Sequence, residues 1–519
     1  MNLWSARNVI VDDAYIEFRC VSNLIHGYGY VWNPGEAPFE ISTNFLFTVL
    51  LAPVLFLNLD PVIFSHILGI ISVLFVSYLI YRFSKECGYT HPVALFLSCL
   101  YLTYPTIAIS ALSGLQTSFF IATLFLFFYS AFRARKDQSF RKLFFLVVSF
   151  LLVIAARTEG AVFASLLLAT VYFLKHSDLP PVKKPFFTAC LLCALLAGAF
   201  FAWKLLYFGS LITGPMLIKL KSICFMPGKI DLLLFIFQNK VYFLFSLLSI
   251  LLVFPKKSWQ LFSILIAGLI LLVYSFSCHL MGIAGRYFMP TIPFLLIISA
   301  DIFEWIFSRG SSKNLKYICV FAGVILINCS NINPSGDSIE LRKYLFQSKS
   351  ALKKTWTDVD VLIGKQLGKL KDASSIVVAS EDIGGIGYYS GVRNVDLVGI
   401  ANPYIAKAKD SNELNNRIFS YKPDIILFRA DRPVNGVVED KVQAACKRCC
   451  VWGQVERSGN SFRFDQRFKS DYVLLGSIPD SDPSTSLYDW VFWMRKDSEY
   501  SRDIKNVVGE FAVINSLVN

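Results

Sequence analysis

Two adjacent carboxylates, Asp12 and Asp13, stand in the stretch "NVIVDDAYIEFRC" near the start of a chain that otherwise reads as membrane. Carboxylates are costly in hydrocarbon, so the pair belongs at or outside the bilayer surface. As structure, either one can cap a helix over "DDAYIEFRCVSNLIHG", accepting from the first free backbone N–H groups, with Gly27 ending the helix. As chemistry, they are a pair of proton acceptors. The cations to set against them are Arg157 in "ARTEG", Lys219 in "GPMLIKL" and Arg286 in "GRYFMP". Arg157 can pair with Glu159, snorkel to the interface, or bind an anion. Lys219 and Lys221 read as solvated loop charges or anion contacts. Arg286 opens an apolar segment beside Gly285 and Tyr287 and needs a partner. His26 and His279 read as ordinary interfacial residues.

Two other clusters invite chemistry and support it poorly. "CKRCC" (Cys446, Cys449, Cys450) lacks the nearby His or second CxxC that zinc requires, so a disulfide with one thiol left over fits better. "SEDIGGIGYYSG" follows an apolar run, but Gly384, Gly385 and Gly387 do not make GxGxxG. A tight turn packing Tyr388 and Tyr389 against a sheet is the expected structure.

The elements that must position these groups follow from composition. The chain has 519 residues, 55% of them hydrophobic, with 47 Phe. Its mean hydropathy is +0.53. Soluble domains carry roughly 45–50% apolar residues, so this is a polytopic membrane protein. The net charge of +13 comes largely from short basic runs between apolar segments, a topology signal that argues against nucleic acid. Candidate spans are 61–81, 92–111, 114–132, 143–156, 160–174, 186–208, 241–254, 259–276, 287–304 and 317–330, about ten helices. The run from Phe45 is too short to span comfortably and reads as an interfacial helix.

Basic residues mark every second connection, beginning with Arg82 and Lys85, then 133–142, 175–184, 256–257 and 309–316. Those loops are expected to be cytoplasmic, which places residues 1–60, the loops holding Arg157, Lys219 and Arg286, and everything after residue 331 outside. From 331 to 519 the chain turns polar, with short apolar runs at 375–380, 395–400, 424–429, 472–477 and 490–495 between helical segments such as 338–370 and 402–420. That pattern predicts a soluble α/β domain hung from a transmembrane domain over 61–330. Most of the 12 Cys lie in or near spans, as apolar filler.

The opening loop "DDAYIEFRCVSNLIHGYGYVWNPGE", followed by "STNFLFTVLLAP", resembles the first outer loop of GT-C superfamily membrane glycosyltransferases. The branch it looks like contains the mycobacterial terminal arabinofuranosyltransferase. "SGLQT", "ARTEG", "YFGSLITGPMLIKL", "GRYFMPTIPFLL" and "GGIGYYSGVRNVDLVGIAN" resemble later motifs of that branch, in the same order. Gln116 stands where the branch usually has Glu, and Thr158 where it has Pro. Relatives usually carry a transmembrane helix before the Asp-Asp loop, and residues 1–11 are too short for one.

The resemblance implies an inverting transfer of sugar from a polyprenyl-phosphate donor to a cell-envelope glycan or glycolipid, outside the bacterial inner membrane and without nucleotides. In that chemistry a carboxylate takes the acceptor proton, best from a partly buried site with a near-neutral pKa. Asp12 is the expected base, with Asp13 second or as a ligand to an ion or sugar hydroxyl. Arg157, Lys219 and Arg286 are expected to hold the donor phosphate near the lipid boundary. Tyr15, Gln116, Glu159 and Tyr207 are the expected substrate contacts. The resemblance makes no cofactor certain and leaves a divalent cation open. The rivals are a transporter or flippase of lipid-linked sugar, a non-enzymatic surface protein, and an inactive relative. No span shows the buried ionisable residues or inverted repeat of a coupled carrier.

Overall fold

The computed structural model describes residues 10–221, 227–253, 257–276, 285–309, 322–324, 356–431, 465–479 and 488–514. The chain opens on helix α1 (Asp12–Ile25) and the short apolar α2 (Phe45–Phe56). Then follow α3 (Pro61–Glu86), α4 (His91–Thr103), α5 (Pro105–Leu112), α6 (Thr117–Lys136), α7 (Phe140–Ala156), α8 (Gly160–Phe173) and α9 (Lys184–Phe208). The bundle continues through α10 (Gly214–Lys221), α11 (Pro227–Gln238), α12 (Lys240–Val253), α13 (Ser258–Ser275), α14 (Ile292–Ile298) and α15 (Ala300–Ser308).

Among the described residues, five helices are long and apolar enough to cross a membrane: α3, α6, α9, α13 and the run Met289–Ser308. The number rises to seven if the bent pairs α4–α5 and α11–α12, angled by 55° and 83°, each count as one span. This is a polytopic membrane protein. The first break was written in the sequence, because Pro105 biases Tyr104 away from the helical region, and Tyr104 is extended at φ −65°, ψ 117°. The expected span 317–330 lies outside the described residues apart from 322–324, and "CKRCC" lies wholly outside them.

Aromatic packing holds the bundle together. Phe83 of α3 contacts the rings of Phe128 and Phe132 on α6 at 5.3 and 5.1 Å, and Trp259 of α13 at 5.6 Å. Lipid is as apolar as these rings, so shape fit and dispersion, not removal from water, supply the stabilisation. Among the described residues, the expectation that no span buries an ionisable residue is overturned: Arg135 of α6 is 3% exposed, and Lys204 of α9 forms a buried polar link. Lys204, near the end of α9, is 1% exposed and lies 2.7 Å from Glu40. It escapes a hydropathy reading because one Lys far from the helix start barely changes the mean of a 25-residue apolar helix.

The later part of the chain forms a six-stranded mixed sheet in the order β2-β1-β3-β5-β4-β6. Its strands are β1 (Val377–Ser380), β2 (Arg393–Asp396), β3 (Ile425–Asp431), β4 (Tyr472–Pro479), β5 (Tyr488–Arg495) and β6 (Val513–Ile514). β1 pairs in parallel with β2 and β3, and the remaining pairs are antiparallel. The strand expected over 395–400 ends at Asp396, whose carboxylate accepts from the N–H groups of Val398 (2.8 Å) and Ala401 (2.7 Å). Those bonds fold residues 397–401 into a loop instead of continuing the ladder. The helix Trp356–Leu367 falls in the expected segment 338–370, whose first part is not described.

The "GGIG" segment is a short helix, Gly384–Ser390, and not a turn. Its Tyr388 and Tyr389 meet Tyr15 of α1, at 5.8 and 5.5 Å between ring centres, and not the sheet. Gly384 permits this approach, since a Cβ there would lie 2.0 Å from the Asp12 carbonyl oxygen.

Candidate active site

The 14 residues of α1 carry the site on two faces. The expected helix forms and ends at Gly27, which takes φ +85°. Neither aspartate caps it: the N-cap is Val11, without a side-chain bond, and both carboxylates lie in the first turn. Consecutive residues on a helix diverge by about 100°, so adjacent aspartates cannot serve the same neighbour.

Asp12 turns to the sheet. Its Oδ2 accepts from Gly384 N at 2.9 Å and its Oδ1 from Gly385 N at 2.6 Å. Arg19, two turns on and on the same face, donates to the carbonyls of Gly387 and Val392 (2.8 Å) and to Asn33 Oδ1 (2.9 Å). Its guanidinium lies 4.5 Å over the Trp32 ring, and Trp32 Nε1 donates to Asn394 O at 2.9 Å. The aromatic loop after α1 is thus a dock for β2.

Behind Asp12 lie Asp360 and Asp382, the three offering oxygens within 4.8 Å of one another. Arg429 already pairs with Asp382 and, at 3.4 Å, with Asp360, and Trp490 Nε1 donates to Asp360 at 2.9 Å. A divalent cation fits this set badly, because the guanidinium supplies the positive charge.

Burial, reinforced by Asp382, pushes the Asp12 carboxyl from 3.8 up to about 7, against the opposing pull of the Gly385 and Gly384 N–H groups. A folded pKa above the unfolded one gives stability that is full below about pH 4 and is lost as pH rises through about 7. Hydrogen-exchange protection of residues 384–390 is therefore expected to fall between pH 5 and 8.5, and Asp12→Asn to flatten that fall. Equal loss in both proteins would assign the pH dependence to another group.

Asp13 turns the other way, into a cavity of about 470 Å³ where α1 meets the ends of several membrane helices. That volume is in the range of ligand sites. Arg157, from the turn between α7 and α8, and Arg286, from the segment before α14, reach the same cavity. Arg286 Nη2 lies 3.4 Å from Asp13 Oδ2, and Arg157 Nη2 lies 2.6 Å from Glu159 Oε1. The two guanidiniums flank one ring, Tyr287, at 5.3 and 5.0 Å. Tyr274 of α13 donates to Glu159 at 3.0 Å. Two fixed cations, Arg157 buried and Arg286 partly buried, in a mostly apolar hollow make a site for an anion with an apolar attachment.

Five of the expected site residues therefore converge: Asp13, Gln116, Arg157, Glu159 and Arg286 line the cavity. Asp12, Tyr15 and Tyr207 do not line it. Tyr15 packs in the α1–tyrosine cluster, and Tyr207 OH accepts from Tyr30 N at 3.1 Å. Helix α10 contributes Pro215, Met216 and Ile218 to the wall, while the Lys219 side chain lies outside the described residues. Sequence reasoning missed Glu17, which lines the cavity one turn beyond Asp13 and was within reach of helical periodicity. It also missed Tyr274, and Val398 and Ile400 of the loop after β2, which close one side and had no local signal.

Residues 356–493 match a family described as a domain of unknown function, DUF8728. No curated protein matches the chain. Among solved structures, ArnT from Cupriavidus metallidurans bound to undecaprenyl phosphate is similar, with a TM-score of 0.52 at 9% identity over 82% of this chain and 89% of ArnT. The same protein in the apo state gives 0.44 at 9% identity over 73% of this chain and 80% of that one. The first likeness establishes a shared fold across most of both chains.

Proposed function

We propose that the protein is an inverting GT-C glycosyltransferase that moves a sugar from a polyprenyl-phosphate donor to a cell-envelope glycan or glycolipid. The observation that carries this reading is the meeting of Asp13, Arg157 and Arg286 in one apolar-walled cavity beside the membrane helices. An acceptor hydroxyl oxygen bonds to the anomeric carbon while the bond from that carbon to the phosphate oxygen breaks. Asp13 takes the hydroxyl proton, and the electron pair leaves with the phosphate, whose charge Arg157 and Arg286 hold. The role of base passes from Asp12 to Asp13 because Asp12 is engaged with Gly384 and Gly385. Asp12 becomes the group that fixes α1 against the sheet. Lys219 stays a donor-phosphate contact, Gln116 and Glu159 substrate contacts, and Tyr207 a support for the Tyr30 loop.

The fold shared with ArnT, whose structure was solved with undecaprenyl phosphate bound, supports a polyprenyl-phosphate partner. The ordered motifs support the arabinofuranosyltransferase-like branch. The branch resemblance supports the bacterial inner membrane, and the alternation of basic loops supports an orientation with the cavity and the residues after 331 on the outer face. The test is reconstitution of the full chain in liposomes with a panel of undecaprenyl-phosphate sugars and a cell-wall glycan acceptor. Mass-resolved glycan product and released undecaprenyl phosphate are expected in equal amounts. Lipid movement across the bilayer without product would replace this reading with a flippase.

A further inference from the structure

The cavity holds a second acid on the same helix face as Asp13. Glu17 follows by four residues, so both carboxyls project from one side of α1. Its side chain is 4% exposed, yet it lines the cavity. Tyr30 OH donates to Glu17 Oε2 at 3.0 Å, the Thr48 hydroxyl donates to Oε1, and Ser42 stands beside them. Among the described residues it forms no ion pair, unlike Asp13, Glu159 and Glu40.

A purely structural role accounts poorly for this arrangement. Burying a carboxyl is costly, and burial pushes this one above the usual carboxylate range. Gln would accept from the same hydroxyls without burying an ionisable group. A carboxylate offers about four acceptor sites, so three hydroxyls leave capacity on the cavity side. The cavity is thereby polarised: guanidiniums at one part of the wall, and an unpaired carboxyl ringed by hydroxyls one turn of α1 away.

We infer that Glu17 binds a hydroxyl group of the sugar handled in this cavity, and so helps decide which sugar is accepted. The inference rests on the glycosyl-transfer reading. The hydroxyl belongs either to the donor's sugar or to the acceptor glycan, and the kinetics distinguish the two.

Full-length Glu17→Leu and Glu17→Gln are to be assayed for transfer with donor and acceptor varied in turn, alongside binding of undecaprenyl phosphate, which carries no sugar. A hydrogen bond to a charged group is worth about 10- to 150-fold, and Glu17→Leu is expected to lose that much in kcat/KM for one substrate. Glu17→Gln, which keeps a polar contact, is expected to lose less than about tenfold. Undecaprenyl phosphate affinity is expected to stay unchanged in both. The substrate whose KM rises identifies the sugar. Unchanged kcat/KM for both substrates overturns the inference, as does a parallel loss of undecaprenyl phosphate binding, which marks a collapsed cavity. Should Glu17→Leu not fold, donors or acceptors lacking single hydroxyls replace it. Wild-type protein is expected to discriminate against one of them and Glu17→Gln to do so less, and equal discrimination rejects the role. Absence of transfer by the wild type is a separate result that removes the glycosyl-transfer reading itself.

Discussion

Asp13→Asn is expected to lower kcat for sugar transfer by roughly 10²- to 10⁴-fold, the usual contribution of a positioned general base, while leaving folding and donor binding largely intact. The expectation comes from placement. Asp13 is the aspartate of the pair that lines the cavity, where it faces Arg286 at 3.4 Å. Asn keeps the shape and one acceptor oxygen, so the guanidinium is not left without a polar neighbour, but an amide cannot take the proton. Asp12→Asn is the matched control, because its carboxylate contacts two backbone N–H groups of another helix at 2.9 and 2.6 Å. It is expected to loosen the sheet against α1 and to lose less than about tenfold in kcat, since an Asn oxygen can replace one of the two bonds. The measurement is steady-state transfer with thermal unfolding of each variant. Equal loss from both, at unchanged unfolding temperature, would return the role of base to Asp12.

The contrast between these neighbours marks how far a single sequence could be read. That α1 exists, begins near Asp12 and ends at Gly27 was legible, because local rules suffice: acidic residues in a first turn and a Gly with φ +85° after the last. Which aspartate meets the substrate was not, because that depends on which body sits on which face of the helix. Asp12 is fixed by residues 384–385 and Asp13 by residue 286, separations of hundreds of residues that no local pattern encodes. The same distinction explains the sheet. Five strand segments were visible as apolar runs, but "VDLVGI" looked like one strand when Asp396 uses its carboxylate to turn the backbone after four residues. Lys204 and Glu40 were invisible as a pair because each is unremarkable until α9 brings them to 2.7 Å. Arg157 and Arg286 were legible as charges where an apolar chain should have none; their sharing of the Tyr287 ring was not.

That shared ring leads to the second large effect. Arg286→Gln is expected to reduce kcat by about 10²- to 10³-fold, the scale seen when one preorganised group that stabilises developing charge is removed. It is also expected to weaken inhibition by free undecaprenyl phosphate, since the leaving group presents the same anion. Arg286 suits this test better than Arg157. Its contact with Asp13 is long, at 3.4 Å, so removing it disturbs few existing bonds, whereas Arg157 lies 2.6 Å from Glu159 in a nearly closed pair. Breaking a buried pair from one side costs about 3–5 kcal/mol, so Arg157→Gln should lower the unfolding temperature as well as the rate, mixing stability with catalysis. Arg286→Lys separates charge from geometry. An ammonium supplies the charge without the planar fork, and a partial recovery of kcat is expected. If Arg286→Gln keeps transfer within about threefold of wild type and is still inhibited normally by undecaprenyl phosphate, the phosphate lies elsewhere. Arg157, on the other side of Tyr287, would then be the remaining described cation of the cavity able to hold it.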